Sequence, residues 1–533
     1  MAYPMPRKII LALLAVGLLT TVVRTNGVTI NAASPSFTDV ASAISSASDG
    51  DTVIVPAGTA TWTNQLTINV GITLQAAGIG QTIIIDGLAS GMLVSVQLVP
   101  SKLTRITGIE FRDGGNRATP AGEGNGILHF QGSNTDGSRL RVDHCYFNQL
   151  NGSINTENVL GVFDHCTWDR APNSGSTIYC KNNTWNGGTW GDASYSDQSY
   201  FGTDKFLFVE DCTINGGNFD IGYGGSRFVL RYCTMNANAN GLGKITTHGT
   251  ETTGRRRSVR ALEVYNNTFN AVGIQTGTTV LGELRGGIML LHDNTYKGWG
   301  SNSNQVKYTL TAYRLFGQSS QTFLPADGLQ PWDVNDTTGG PNHNGLYYNG
   351  TAAANSNTTT LTVTVSGNPG WSTNQWVGYS IRNPSPPTGD VNTSEIVASG
   401  SNTITWETGA NTGNASGGHN PVAFLAGDTV EIRKVLHVLD QPGRSRGSII
   451  GGGLTPNVPA GWAPNDQVTE PCYSWNNTTD YGGHVNFGAP DYTIRLNEHY
   501  FNNTAMPGYT PFVYPHPLVS GVPGPPQNLR VIP

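Results

Sequence analysis

The chain has 533 residues, of which 68 are glycine and only 12% are charged. Few charges with many turn formers exclude coiled coils and acidic disordered tails, and suit an all-β protein with many tight corners. The formal net charge of −6 and isoelectric point near 6.0 exclude a generally basic nucleic-acid binder, so no nucleic-acid partner is expected.

At the N-terminus Arg7 and Lys8 precede an apolar run from Ile9 to Val23, closed by Arg24. The run is shorter than the roughly 20 residues a membrane helix needs, which predicts a signal peptide over 1–32 cleaved near Ala32 or Ala33. A retained N-terminal anchor is the alternative. No later stretch is long and apolar enough to span a membrane. A secreted or extracellular chain, with the cell surface as a further location and no membrane span after signal removal, is therefore expected. Six cysteines, Cys145, Cys166, Cys180, Cys212, Cys233 and Cys472, are too sparse for a disulfide scaffold, and no CxxC or Cys/His metal pattern occurs.

After the leader, Ser36 to Ala47 reads as a short amphipathic helix with Phe37, Val40, Ala43 and Ile44 on one face. Asp49-Gly-Asp is a turn, and Thr52-Val-Ile-Val is a strand stopped by Pro56 and Gly58. Leu66-Thr-Ile, Gly71-Ile-Thr-Leu-Gln and Thr82-Ile-Ile-Ile-Asp are further short strands. A helix over the open end of a strand stack would cap its first rung.

A repeated corner then begins. It reads Asp143-His-Cys145-Tyr-Phe, Asp164-His-Cys166-Thr-Trp, Glu210-Asp-Cys212-Thr-Ile and Arg231-Tyr-Cys233-Thr-Met. It continues as Tyr265-Asn-Asn267-Thr-Phe, His292-Asp-Asn294-Thr-Tyr, Trp475-Asn-Asn477-Thr-Thr and Asn497-Glu-His499-Tyr-Phe. Cys145 and Cys166 are 21 residues apart, as are Cys212 and Cys233, and other separations are longer. Such a floor with irregular additions fits a parallel β-helix, whose coils need three short strands and their corners. Equivalent residues would stack about 4.8 Å apart, so the cysteines would begin a ladder that the asparagines continue. Asn suits such corners because its amide tolerates left-handed backbone and can bond to the next coil. Buried ladder membership, rather than redox or metal chemistry, is the reading for the cysteines, with bridging left to geometry.

Two long additions interrupt the repeat. Asp169 to Lys205 carries Trp185, Trp190, Tyr195, Tyr200 and Phe201, whose rings would either stack on sugar faces or form a satellite core. The second addition contains period-two strands such as Thr359-Thr-Leu-Thr-Val-Thr-Val and Ser401-Asn-Thr-Ile-Thr-Trp. It reads as a small inserted β-domain over 351–440, between coils at 33–350 and 441–515. A Pro-rich end, 516–533, reads as a tail within an extended strap that starts near Tyr509. The predicted class is all-β: a right-handed parallel β-helix (solenoid) with an N-terminal capping helix and a small inserted β-domain.

These features resemble secreted right-handed β-helix proteins of the pectate lyase superfamily. Val162-Phe-Asp164-His165 looks like that family's Trp-Ile-Asp-His corner, and Asp220-Ile-Gly-Tyr223-Gly-Gly-Ser226 is similar to its Leu-Ile-Gly-His-Ser-Asp segment. Leu230-Arg-Tyr-Cys-Thr-Met looks like its His-His-Asn-x-Phe strand. Arg255-x4-Arg260, leading into Val264-Tyr-Asn-Asn267, resembles its Arg-x-Pro-x-x-Arg segment. The matches keep the family's order, but no Pro lies between Arg255 and Arg260, and Tyr223 stands where the family has His.

The resemblance implies cleavage of an anionic, uronate-containing polysaccharide by β-elimination, with Arg255 as base and Arg260 clamping the substrate carboxylate. Removing a proton α to a carboxylate requires a neutralising cation and a base within hydrogen-bond reach. Arginine's pKa above about 12 makes it a poor base, so Lys244 and His248 are chemically easier bases. The alternatives are a solvated basic loop for the arginines and an ordinary loop for Lys244 and His248. Asp143, Asp164 and Asp211 recur near one corner as candidate oxygen ligands for calcium, or as carboxylates bonding corner amides. A monomer acting on a polysaccharide is expected. The rival readings are a non-catalytic glycan-binding or surface-adhesion solenoid and a β-helix glycoside hydrolase, since the fold hosts all three.

Overall fold

The computed structural model describes residues 27–117, 125–132, 139–150, 153–170, 178–181, 199–216, 218–221, 225–238, 244–247, 259–273, 280–298, 306–311, 346–357, 359–377, 379–384, 392–406, 422–433, 442–443, 470–489, 494 and 496–520. Short strands fall into three long parallel sheets, of 12, 10 and 10 strands, and one six-stranded sheet. The chain visits the three sheets in rotation. Arg139–Asp143 belongs to the first, Tyr146–Leu150 to the second and Ser153–Glu157 to the third, after which Leu160–Asp164 returns to the first. Each strand pairs in parallel with its counterpart one coil on, a β-helix-like arrangement. Alternation of apolar and polar residues explains why: Leu140 and Val142 join the interior core, while Arg139, Arg141 and Asp143 take the other face, where Arg139 is exposed and the other two are covered. Large side chains stack rung on rung inside, with Phe147 between Phe111 (centroids 5.7 Å apart) and Trp168 (5.0 Å), and Phe269 on Tyr296 (4.7 Å).

The helix α1 (Phe37–Ser45) matches the expected cap. Ser36 closes its N-terminus by accepting from the Asp39 amide, and Val40, Ala43 and Ile44 are buried. It packs on Thr52–Val55, Gly58–Trp62 and Leu66–Ile68, at one end of the stack. The predicted leader boundary needs correction. Thr29–Asn31 pairs with Thr52–Ile54 as the outermost strand of the first sheet, and the Val28 amide donates to Asp51 at 2.7 Å. Cleavage after Ala32 would remove that strand, so the folded region starts ahead of the expected site.

The corner between the first and second sheets is short and nearly uniform. One residue in each copy is left-handed: His144, His165, Asp211, Tyr232, Asn266, Asp293 and Asn476 all have φ between 51° and 55°. Gly108 takes the same region one coil before His144. The left-handed residue is thus the one before the ladder position, not the ladder asparagine itself. The ladder side chains instead tie coils together. Asn267 Oδ1 accepts from the Cys233 amide at 2.9 Å, and its Nδ2 donates to Leu230 O and Asn294 Oδ1. Asn294 and Asn477 repeat the pattern, while Cys212 Sγ takes the Cys166 amide at 3.4 Å. Cys145, Cys166, Cys212, Cys233 and Cys472 are free and buried, and burial pushes the Cys145 and Cys212 thiols up. Asn267→Ala should cost about 1–3 kcal/mol by orphaning a buried amide and carbonyl. Asn267→Cys, which keeps an acceptor as in the earlier coils, should cost less than half of that in urea denaturation.

The last predicted corner, at His499, is out of register. Tyr500–Phe501 pairs with Cys472 and Tyr473 in the first sheet, so His499 precedes a strand instead of following one. The insertion expected at 351–440 has strands Leu346–Thr351, Thr362–Thr364, Ser380–Asn383, Asn392–Ser399, Thr403–Trp406 and Thr429–Arg433 in one antiparallel sheet. It starts earlier than expected because Leu346–Thr351 pairs with Thr429–Arg433. Trp371, Trp376, Ile381, Ile396, Trp406 and Phe424 form its own core.

From 503 to 520 the chain lies back over the outer face of the first sheet. Phe512, Leu518 and Val519 pack on Phe206, Phe208, Val229, Ala261 and Ile288, and Pro517–Ser520 forms a short helical turn over Leu160–Asp164. The expected strap is therefore packed structure through Ser520, and 516 is not a boundary.

Candidate functional site

Apart from the connection from Asn31 to Thr52 that carries the capping helix within the first sheet, the long connections between described coil strands lead to or from the third sheet. The joints from first to second sheet are a few residues long, whereas Lys181 to Leu207, Thr247 to Ala261 and Leu310 to Cys472 are extended connections from the third sheet back to the first. Asn236 to Ile245 is a long approach to it. A rigid sheet with variable loops at both edges is where side chains are free to vary for recognition or chemistry.

One row of the third sheet runs in backbone register through Ser95, His129, Asn155, Tyr179, Asp220, Thr246, Glu283 and Thr309, of which Ser95, His129, Thr246, Glu283 and Thr309 are partly exposed. Two positions further along, Gln97, Gln131, Glu157 and Lys181 form a second row. His129 Nε2 lies 4.0 Å from Glu157 Oε2, and Arg285 grips Glu283 at 2.8 Å while its amide donates to Thr247 Oγ1. Lys244 opens the strand Ile245–Thr247. Its amide donates to Asn218 Oδ1, its carbonyl accepts from the Phe219 amide, and the residue is half-buried. This face thus gathers an imidazole, carboxylates, a guanidinium and an ammonium group on one rigid frame.

The remaining candidates divide sharply. Arg255, His248, Trp185, Trp190 and Tyr195 lie outside the described residues, on the connections that leave the third sheet after Lys181 and Thr247. Arg260 is fully buried just before Ala261–Tyr265 of the first sheet, 2.8 Å from Glu470. That position presents no donor to a substrate in solvent, so Arg260 does not have the geometry of a carboxylate clamp. Tyr200, with Phe201, packs on the outer cluster of the first sheet beneath the strap, and its ring lies 5.2 Å from the Arg227 guanidinium. These two aromatics follow the satellite-core alternative.

The aspartates do not fit calcium. Asp143 and Asp164 are fully buried, and Arg105 and Arg141 respectively grip them through paired bonds of 2.6 and 2.9 Å. Burial alone would raise the Asp143 carboxyl; Arg105, with His144 and Arg141, outweighs it and together they hold the group below the usual carboxylate range. Asp211 sits at the left-handed corner position and accepts from the Tyr514 hydroxyl at 2.6 Å. Calcium takes six to eight oxygens, and here guanidinium groups occupy the Asp143 and Asp164 carboxylates. Among the described residues no three His, Cys, Asp or Glu side chains converge as a metal group. The expected corner amides are not the principal partners of Asp143 and Asp164 either, since arginine side chains are.

Sequence reading missed His129, Glu283 and Arg285, because the row they share appears only once the coils are aligned. It also missed the Arg105 and Arg141 partners. The repeated Asp-His at successive corners was the available signal. No protein-family model matches the chain, and no curated protein matches it.

Proposed function

We propose that the chain is a right-handed parallel β-helix of the pectate lyase type that binds an anionic, uronate-containing polysaccharide along its third sheet and cleaves it by β-elimination. The observation that carries this reading is the crowding of long connections around that sheet, together with the partly exposed His129, Glu157, Lys244, Glu283 and Arg285 on it. The usual right-hand rule for parallel crossovers supports the handedness. Lys244 is the base that this face offers, and the partly exposed Arg285 replaces the buried Arg260 as the cation for a substrate carboxylate. Neutralising that carboxylate stabilises the carbanion-like state, and a base within reach then takes the α proton.

The test is incubation of the protein with a panel of uronate polymers, with and without calcium, following absorbance from unsaturated chain ends. Lys244→Ala should lower kcat by about 100-fold or more, with a smaller change in KM. Full activity in both Lys244→Ala and Arg255→Ala removes this site. New reducing ends without the absorbance indicate hydrolysis, and binding with neither signal makes the chain a glycan-binding solenoid.

A further inference from the structure

Two Arg–Asp–His relays stand one coil apart at the joint between the first and second sheets. Arg105 grips Asp143, whose Oδ2 lies 2.9 Å from His144 Nδ1; Arg141 grips Asp164, whose Oδ2 lies 3.0 Å from His165 Nδ1. Each imidazole has its inner nitrogen committed to a buried carboxylate, which leaves Nε2 for an outside ligand. The two side chains are 58% and 47% exposed, and their rings are parallel to within 3° with centroids 5.1 Å apart. Both residues are fixed in the left-handed corner conformation.

This geometry discriminates between ligands. One zinc-like ion bound by two imidazoles at about 2.1 Å each needs nitrogens no more than about 4.2 Å apart with converging lone pairs. Parallel rings with pinned inner nitrogens aim those lone pairs side by side instead. Two side-by-side N–H donors suit a ligand with two neighbouring acceptors, each taking one charge-assisted bond. Charge agrees with this. Asp143 and Asp164 are offset by Arg105 and Arg141, so two protonated imidazoles add positive charge that those four groups do not cancel. The other titratable groups nearby are Tyr146 on the second sheet, Glu210, which is paired with Arg231, and Asp211, which holds the Tyr514 hydroxyl.

We propose that His144 and His165 form an oxyanion-binding pair, in which sulfate, phosphate or the carboxylate of a sugar acid bridges the two Nε2–H groups. The site is separate from the third sheet and does not rest on the polysaccharide reading. It requires an N–H on each Nε2 while each Nδ1–H faces a carboxylate, so both rings carry two protons when the anion binds, and binding is stronger in acid than in base.

The experiment is a titration of the full chain with inorganic sulfate, with a uronate monosaccharide and with the matching neutral sugar. Imidazole proton resonances are followed in acid and in base, at about pH 5.5 and about pH 8.5. Both rings should respond to sulfate on one shared curve at the lower pH and not at the higher, with the neutral sugar silent. The uronate arm tells whether a sugar acid competes with a free ion. His144→Gln and His165→Gln, both at exposed positions, should each weaken binding roughly tenfold or more while circular dichroism stays unchanged. Separate curves for the two rings, unchanged affinity in either variant, or tighter binding of zinc than of sulfate at both rings would overturn the proposal.

Discussion

Replacing Arg231 with alanine should lower the unfolding free energy by about 3–5 kcal/mol, the cost of leaving a buried carboxylate without its cation. Arg231 and Glu210 are both fully buried and meet at 2.6 Å. Arg231 also donates to the Tyr265 hydroxyl at 2.8 Å and to the carbonyls of Phe512 and Val513 at 3.0 Å each, and lies 4.8 Å from the Phe208 ring centroid. Burial raises the Glu210 carboxyl even with Arg231 beside it, so Glu210 charged and alone would be strongly unfavourable. The variant should also expose the strap to proteolysis near Phe512. Adding Glu210→Gln should restore more than half of the lost stability, because the orphaned charge rather than the missing contact dominates. A urea midpoint giving less than about 1 kcal/mol of loss for Arg231→Ala would contradict this account.

Acid should loosen the same strap. His516 is buried against Phe208 (4.9 Å) and Phe512 (5.6 Å), its amide donates to Glu210, and its Nδ1 accepts from the Leu518 amide. Burial first, then the charges of Arg231 and Arg141, pull its pKa down to about 3. The folded state therefore holds this imidazole neutral. The associated stability is fully present above the ordinary value near 6.5 and is lost as pH falls towards about 3, at up to about 1.4 kcal/mol per unit. Glu210 and Glu263 act with the opposite sign. Burial raises both, so acid relieves part of their cost and the net slope is shallower. Hydrogen exchange across 509–519 should accelerate between neutral pH and about pH 4 after correction for intrinsic rates. His516→Gln should flatten that dependence; an unchanged slope would assign the release to other groups.

The parallel sheets were readable because their determinants are local. A small or amide residue at each corner, a short β-type run before it and a floor near 21 residues follow from one repeated set of backbone constraints. The capping helix was equally local, with Ser36 and the apolar face of Val40, Ala43 and Ile44 lying within one short stretch. The left-handed position was misassigned because Asn tolerates that conformation well, which disguised the fact that His144, Tyr232 and Asp293 adopt it. The burial of Arg260 depends on Glu470, and that of Arg231 on Phe512 and Val513. Such pairings across hundreds of residues leave no periodic trace. The same limit applied to the candidate site. Lys244 was found from its own segment, whereas His129, Glu283 and Arg285 share a face only through register. His499 was misplaced for the complementary reason, since its motif was plausible locally but its strand pairs one sheet away.

The ladder of asparagine amides crosses the insertion unbroken, for Asn294 bonds Asn477 across 183 residues of chain, as Asn267 bonds Asn294 across 27. Chain-closure entropy grows only with the logarithm of the enclosed length, so this excursion costs the rung under about 2 kcal/mol relative to its neighbour. A module with its own core supports its own folding. That joint therefore works as a socket, into which a different independently folding unit should be exchangeable with little change to the frame that carries it.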